Sequence, residues 1–414
     1  MTAVGRSEIA VPEPDPNINS RRGTQEYRRL SRSVFATGFI TFALLYVVQG
    51  VMPNISRDFS VSPAAASLTL SLTTLPLAIA VIVAASWSEG RGRRRLLIAA
   101  VLTAAALTMA TAIAPNFGSL LALRMLTGLV LGALPAVAMA YIAEEFHPST
   151  LGVAMGFYIS GTGVGGMTGR ILGGFLAGVW NWRVAMAVVG GLCLIGGIVE
   201  VVRLPPSVNF VAASGNMRQR LVGVGRLLKD TVILRFAISG FVLMGTMVSF
   251  FNYLQFRLLR GTFHLSPTLV SLIFILYLLG IVSANWLGRK SARRAALILS
   301  MVIMATGAVL SLTAFLPLVL LGAAGVVFGF FGAHSVISAW IGVWATTQRA
   351  QSSGLYLFGY YLGSSVAGFV GGLFYVAFGW PGEVGTALVL LAIGLTVALS
   401  LPSGDGRAAS IPST

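Results

Sequence analysis

The chain has 414 residues, of which 56% are hydrophobic and only 10% charged, with a mean hydropathy of +0.87. A soluble domain carries about 25% charged residues, so a water-facing globule is excluded and most of the chain belongs in lipid. The formal net charge of +16 does not point to nucleic acid, because the basic residues cluster between apolar segments, a pattern that orients membrane proteins.

In chain order, residues 1–32 are polar, with Pro12, Pro14 and Pro16 and a basic cluster from Arg21 to Arg32. They read as a disordered cytoplasmic tail, with no cleavable signal. About 20 apolar residues are needed per crossing, and twelve segments are predicted: 34–52, 64–87, 95–114, 118–143, 151–177, 183–202, 232–256, 267–287, 293–314, 316–342, 352–378 and 383–401. The long connection 203–231 holds Arg203, Arg218, Arg220, Arg226 and Lys229 and divides the chain six plus six. The expected organisation is an N-terminal bundle over 33–202, a cytoplasmic linker over 203–231, a C-terminal bundle over 232–401 and a cytoplasmic tail over 402–414. Arg91, Arg93, Arg94 and Arg95 join segments 2 and 3, and Arg289, Lys290, Arg293 and Arg294 join segments 8 and 9. Positive loops stay inside, so both termini are expected in the cytoplasm of a bacterium, with the chain multi-pass in its inner membrane.

The segment from Leu151 to Trp182 carries Gly161, Gly165, Gly169 and Gly173 at four-residue steps. That spacing puts them on one helix face, where a neighbouring helix can come close. Adding 198 carries Tyr158 to Tyr356, Gly161 to Gly359, Gly165 to Gly363, Gly173 to Gly371 and Trp182 to Trp380. The chain is therefore doubled. Order and orientation are kept between the copies, which predicts parallel repeats related by an axis along the membrane normal and points to alternating access.

Twelve helices in two such halves, with a basic loop after segment 2, resemble the major facilitator superfamily. The loop reads Ala85-Ser-Trp-Ser-Glu89-Gly-Arg-Gly92-Arg93-Arg94, similar to that family's Gly-x-Leu-Ala-Asp-Arg-x-Gly-Arg-Arg. The resemblance implies a gating latch formed by Glu89, Gly92, Arg93 and Arg94. Arg124-Met-Leu-Thr-Gly128 is similar to the family's Arg-x-x-Gln-Gly, while segment 5 reads Gly165-Gly166 where the antiporter motif has Gly-Pro. Leu134-Pro-Ala-Val-Ala-Met-Ala-Tyr141 with Gly169-Arg170 looks most like the YnfM-type branch, near the arabinose-efflux and drug:proton antiporter branches.

Arginine inside a bilayer is costly and faces the bundle interior or snorkels. Arg124 and Arg170 are therefore either cavity residues for an anionic or proton-linked group, or structural donors to carbonyls. His334 titrates near neutrality when free, or is simply a packed histidine. Gln49, Asn252, Tyr253, Tyr356 and Tyr360 complete the cavity candidates, all of which can equally bridge helices. None of the twelve acids falls in the middle of a predicted segment; Glu383 stands at the first position of the last. No metal cluster or ATP-binding loop is found, so neither an enzyme nor a primary pump is expected, and no cofactor beyond a proton gradient. The reading is an all-α secondary transporter, expected as a monomer with no partner beyond lipid and a small molecule, exporting a drug-like compound, sugar or metabolite against protons. The alternatives are uptake or facilitated passage of an organic anion, and a non-transporting membrane receptor or assembly partner.

Overall fold

A computed structural model describes residues 24–87, 92–147, 149–208, 229–260, 262–345 and 349–402. These are almost wholly helical, and no strand occurs among them. Helix α1 spans Gln25–Asp58 and α2 Pro63–Trp87; α3 spans Arg93–Thr111, α4 Phe117–Leu131, α5 Ala133–Glu145, α6 Leu151–Val179 and α7 Trp182–Arg203. The second half holds α8 (Thr231–Leu259), α9 (Pro267–Ser271), a 3-10 stretch (Leu272–Tyr277), α10 (Leu278–Leu287), α11 (Arg293–Leu310), α12 (Leu316–Trp344) and α13 (Arg349–Ser400).

Polar caps fix the starts. Thr24, Asn116, Asn181 and Asp230 each accept hydrogen bonds from backbone N–H groups of the first turn that have no partner within the helix. Thr24 thus starts α1 at Gln25, ahead of the predicted 34 and inside the stretch expected as a tail. Tyr27 meets Phe146 edge-on at 5.9 Å and is buried, which rewards the extra turns.

Ten stretches are long and apolar enough to cross a membrane. Among them, α4 with α5 makes one crossing, and so does Pro267–Leu287. Glycine-rich α6, at 29 residues, is a further crossing. Helix α13 contributes two, because 52 residues would extend about 78 Å if straight. It turns back at Gly379, whose φ of 65° and ψ of −154° suit a residue without a Cβ. Both arms return to the start of α8: a side chain on Gly240 would touch Tyr356, and Arg235 Nη1 donates to the Ser400 carbonyl at 2.8 Å. Twelve crossings result, in two parallel repeats.

The glycine faces explain the packing. Helix α6 lies on α1, where a Cβ at Gly161, Gly165 or Gly169 would overlap the backbone of Phe35, Phe39 or Ala43. Gly173 continues the face over Val47. In the second half, Gly359 and Gly363 bring α13 onto Ala237 and Phe241 of α8 in the same way. Without side chains between them the backbones approach closely, and dispersion contacts replace lipid contacts along the whole line.

The halves meet where α2 packs on α13 and α6 packs on α9. This seam is not parallel-sided. Gly156 and Gly174 share one face of α6, being five turns apart (174 − 156 = 18 residues). A Cβ at Gly174 would lie 2.5 Å from Ser271 Cβ across the seam, whereas one at Gly156 meets nothing within 4 Å. Gly354 and Gly372 repeat the relation on α13, with open space at the first and Ala64 Cα 2.7 Å away at the second. The seam is closed at the end bearing Gly379 and open at the other.

Candidate functional site

At the middle of the seam, three helices contribute one polar chain. Arg170 of α6 donates from Nε to Gln49 Oε1 of α1 at 2.6 Å, and Gln49 Nε2 donates to Asn252 Oδ1 of α8 at 2.7 Å. Arginine has only donors, so the orientation of both amides follows from it: Gln49 must turn its oxygen to the guanidinium, and Asn252 must turn its oxygen to Gln49. The chain ends on Asn252 Nδ2, a buried donor without an acceptor among the described residues. Beside it, the hydroxyl of Ser71 is likewise buried and unpartnered, and both lie next to Gly368.

Arg170 itself is buried, with its Nη1 on the Gly166 carbonyl at 2.8 Å. Its Cζ stands 3.7 Å from the centre of the Tyr46 ring and 4.8 Å from that of Tyr277. Aromatic faces attract a cation, but no carboxylate among the described residues pairs with it. A buried positive charge without a counter-ion is the main electrostatic feature of the seam.

Toward the open end lies an aromatic group built on α12 and α13. His334 Nδ1 is 2.6 Å from Tyr356 OH, and its ring stacks parallel to Phe330 at 6.0 Å and near Tyr360 at 5.2 Å. Tyr356 is buried, while His334 and Tyr360 are half-buried. These rings offer a flat apolar surface with one imidazole edge.

Other predicted site residues lie elsewhere. Arg124 is fully buried away from the seam, and its guanidinium is spent within the first half. Nε donates to Thr73 Oγ1 at 3.1 Å, Nη1 to the Leu44 carbonyl at 3.3 Å and Nη2 to the Leu45 carbonyl at 2.9 Å. Gly128, one turn on, lets α4 close against Thr73 and so brings the arginine to these acceptors. Arg124 thus ties α1, α2 and α4 together. Tyr253 donates its hydroxyl to the Gly368 carbonyl, and its ring stacks on Tyr375 at 5.2 Å.

Of the latch set, Glu89 lies outside the described residues. Gly92 precedes α3 with a φ of 65°. Arg93 pairs with Glu144 of α5 at 2.9 Å, and Arg94 donates from Nε to the Leu204 carbonyl at 2.7 Å. These contacts tie the turn before α3 to α5 and to the end of α7, all inside the first half.

The inventory of acids needs one correction. Glu383, expected at a segment boundary, is fully buried, and neither of its oxygens has a hydrogen-bond partner among the described residues. The α13 reversal places it under α8 instead of at the surface. Comparison of the repeats carries the signal that would have found it, since the 198 offset sets Glu383 against Ala185.

Two parallel six-helix repeats, splayed at one end of a seam that buries a polar site, define a membrane transporter of the alternating-access kind. A sequence profile described as Major Facilitator Superfamily matches residues 34–291 and 255–412. The chain belongs to the major facilitator superfamily; it is a multi-pass membrane transporter and not an enzyme. It is 41% identical over 381 residues to an uncharacterized MFS-type transporter, YybF, of Bacillus subtilis (strain 168), covering 91% of this chain and 94% of that one. It is 36% identical over 389 residues to the inner membrane transport protein YnfM of Escherichia coli (strain K12), covering 93% of each. Among solved structures it resembles a bacterial homolog of the human lysosomal transporter Spinster, in an inward-facing and occupied conformation. There the TM-score is 0.74 at 14% identity, over 91% of this chain and 97% of that one.

Proposed function

We propose that the chain carries a small organic compound with an anionic group across the bacterial inner membrane, exporting it in exchange for protons. One observation carries the substrate class: the Arg170 guanidinium is buried at the seam, bonded to Gln49 and faced by Tyr46, with no carboxylate among the described residues to neutralise it. An incoming carboxylate or similar group supplies the missing charge, and Asn252 Nδ2 supplies a further donor. The His334, Tyr356, Tyr360 and Phe330 rings receive an apolar or aromatic body.

The bundles 33–202 and 232–401 rock about this site as a monomer. Basic loops support a cytoplasmic location for both termini, and YnfM, by its name, is an inner membrane protein. With that orientation the closed end faces the periplasm and the open end the cytoplasm. A second reading, proton-independent passage of the anion, is favoured by the absence of any carboxylate from the Arg170 chain.

The test uses purified protein in liposomes with an internal pH-sensitive dye and a panel of organic anions, sugars and cationic drugs. Saturable counterflow of carboxylates with proton movement, lost in Arg170→Gln, is the expected result. Counterflow without proton movement selects the second reading, and transport confined to cationic drugs contradicts the substrate class.

A further inference from the structure

The two repeats offer an internal control for Glu383. In the first half, Gly173 of α6 packs on Val47 of α1, where the only side chains it meets are those of Val47 and Val51. Val47 lies eight residues beyond Phe39, and Ser249 lies eight beyond Phe241, the partners of Gly165 and Gly363. Gly371 is the counterpart of Gly173, and a Cβ there would run into both Ser249 Oγ and Glu383 Oε2. Hence, where one repeat has Ser249 and Glu383 at its glycine, the other has Val47 at its glycine and Ala185 at the position offset from Glu383. The fold closes without the carboxyl and hydroxyl, so packing does not require them.

The carboxyl is fully buried, and the groups around it leave it without a counter-charge. On α8 these are Ser249 and Tyr253; on the first arm of α13, Tyr375. The guanidinium of Arg257 stands 5.1 Å over the neighbouring Trp380 ring. Its fork is spent on carbonyls of the 311–313 turn, with Nη2 2.6 Å from the Thr313 oxygen, and Arg260 is exposed. The Ser249 hydroxyl is buried and unpartnered as well. Isolated ionised carboxylates are too costly to bury, whereas a protonated one beside a hydroxyl acceptor is tolerated.

The site also sits behind the closed end of the seam. Gly372, the next residue, touches Ala64 of α2 and Tyr253. Separation of α2 from α13 at this end would uncover this corner.

We infer that Glu383, with the Ser249 hydroxyl beside it, is the proton-exchange site of the transport cycle. It holds a proton while the Gly379 end is closed and exchanges it with water when that end opens. Only the carboxyl O–H bond is broken and reformed. The inference rests on the proton-coupled reading above, and its test separates the two.

Infrared difference spectroscopy of the full-length protein in lipid reads the C=O stretch of a protonated carboxyl at neutral pH. The band is expected in the wild type, lost in Glu383→Gln and shifted in Ser249→Ala, which removes the neighbouring hydroxyl and serves as the readout if the glutamine variant fails to insert. Absence of the band, or its persistence undiminished in Glu383→Gln, overturns the inference. In liposomes with benzoate as the probe, Glu383→Gln is expected to keep counterflow and to lose at least tenfold in the rate of proton movement. Proton movement that persists in this variant also overturns the assignment. Wild-type benzoate counterflow without proton movement would instead sink the coupling reading, whatever the infrared band shows.

Discussion

The two repeats share one packing frame and differ where it holds polar groups. In the first half, the α6 residue Arg170 faces Gly50 of α1; in the second, the α13 residue Gly368 faces Asn252 of α8. These pairs are counterparts, with the large and small residues exchanged between helices. One glycine per pair keeps the backbones close, while the other helix is free to carry a functional side chain. At Gly173 and Gly371 the glycine is kept on the corresponding helix, and Val47 and Ala185 give way to Ser249 and Glu383. Doubling therefore fixed the scaffold, and asymmetry within it marks the residues the scaffold does not need.

The shared frame breaks most completely by bulk. Leucine at Gly165 or at Gly363 drives a side chain into the backbone of Phe39 or Phe241. Each variant is expected to insert and to show no measurable counterflow, since overpacking of this kind cannot relax. Wild-type counterflow rates in either variant would remove the close-approach argument.

The asymmetric residues come next. Arg170→Gln removes the seam's buried charge, and hydrogen bonds to charged groups are worth about 1.5–3 kcal/mol. Half-saturation for a transported carboxylate should weaken roughly 10- to 100-fold, with Arg170→Lys in between. Arg124→Met sharpens the contrast, because that arginine bonds carbonyls and not substrate. Its expected effect is a loss of about 2–4 kcal/mol in stability, read as a lower melting temperature in detergent, with unchanged half-saturation in the protein that inserts. The smallest effect belongs to the partly exposed Arg93–Glu144 pair. Glu144→Gln should cost about 1 kcal/mol or less and leave transport close to wild type.

Much of the fold was legible because its signals are repetitive. Twelve apolar runs, basic loops and glycines at four-residue steps each name a constraint that recurs in both halves. The reversal within α13 was legible too, since the break between the predicted segments 352–378 and 383–401 contains Gly379. Gln49, Asn252 and Arg170 could be picked out as polar residues in apolar runs, but their connection spans three helices and shows only in three dimensions. Arg124 and Arg170 look alike in sequence; what separates them is whether carbonyls or a seam surround the guanidinium. Glu383 escaped because hydropathy sees a segment edge, whereas burial there comes from α8 folding over it.

The central claim is that substrate crosses through the seam between the repeats, and locking the seam tests it most directly. Gly178 of α6 faces Thr268 of α9 at the closed end, where a Cβ on the glycine would lie 2.6 Å from Thr268 Oγ1. With the buried Cys193 replaced by serine, cysteines at 178 and 268 can be joined by oxidation in liposomes and released by reduction. The account predicts that counterflow of a carboxylate carried by the unlocked protein stops on cross-linking and returns on reduction. Undiminished counterflow in fully cross-linked protein would contradict it.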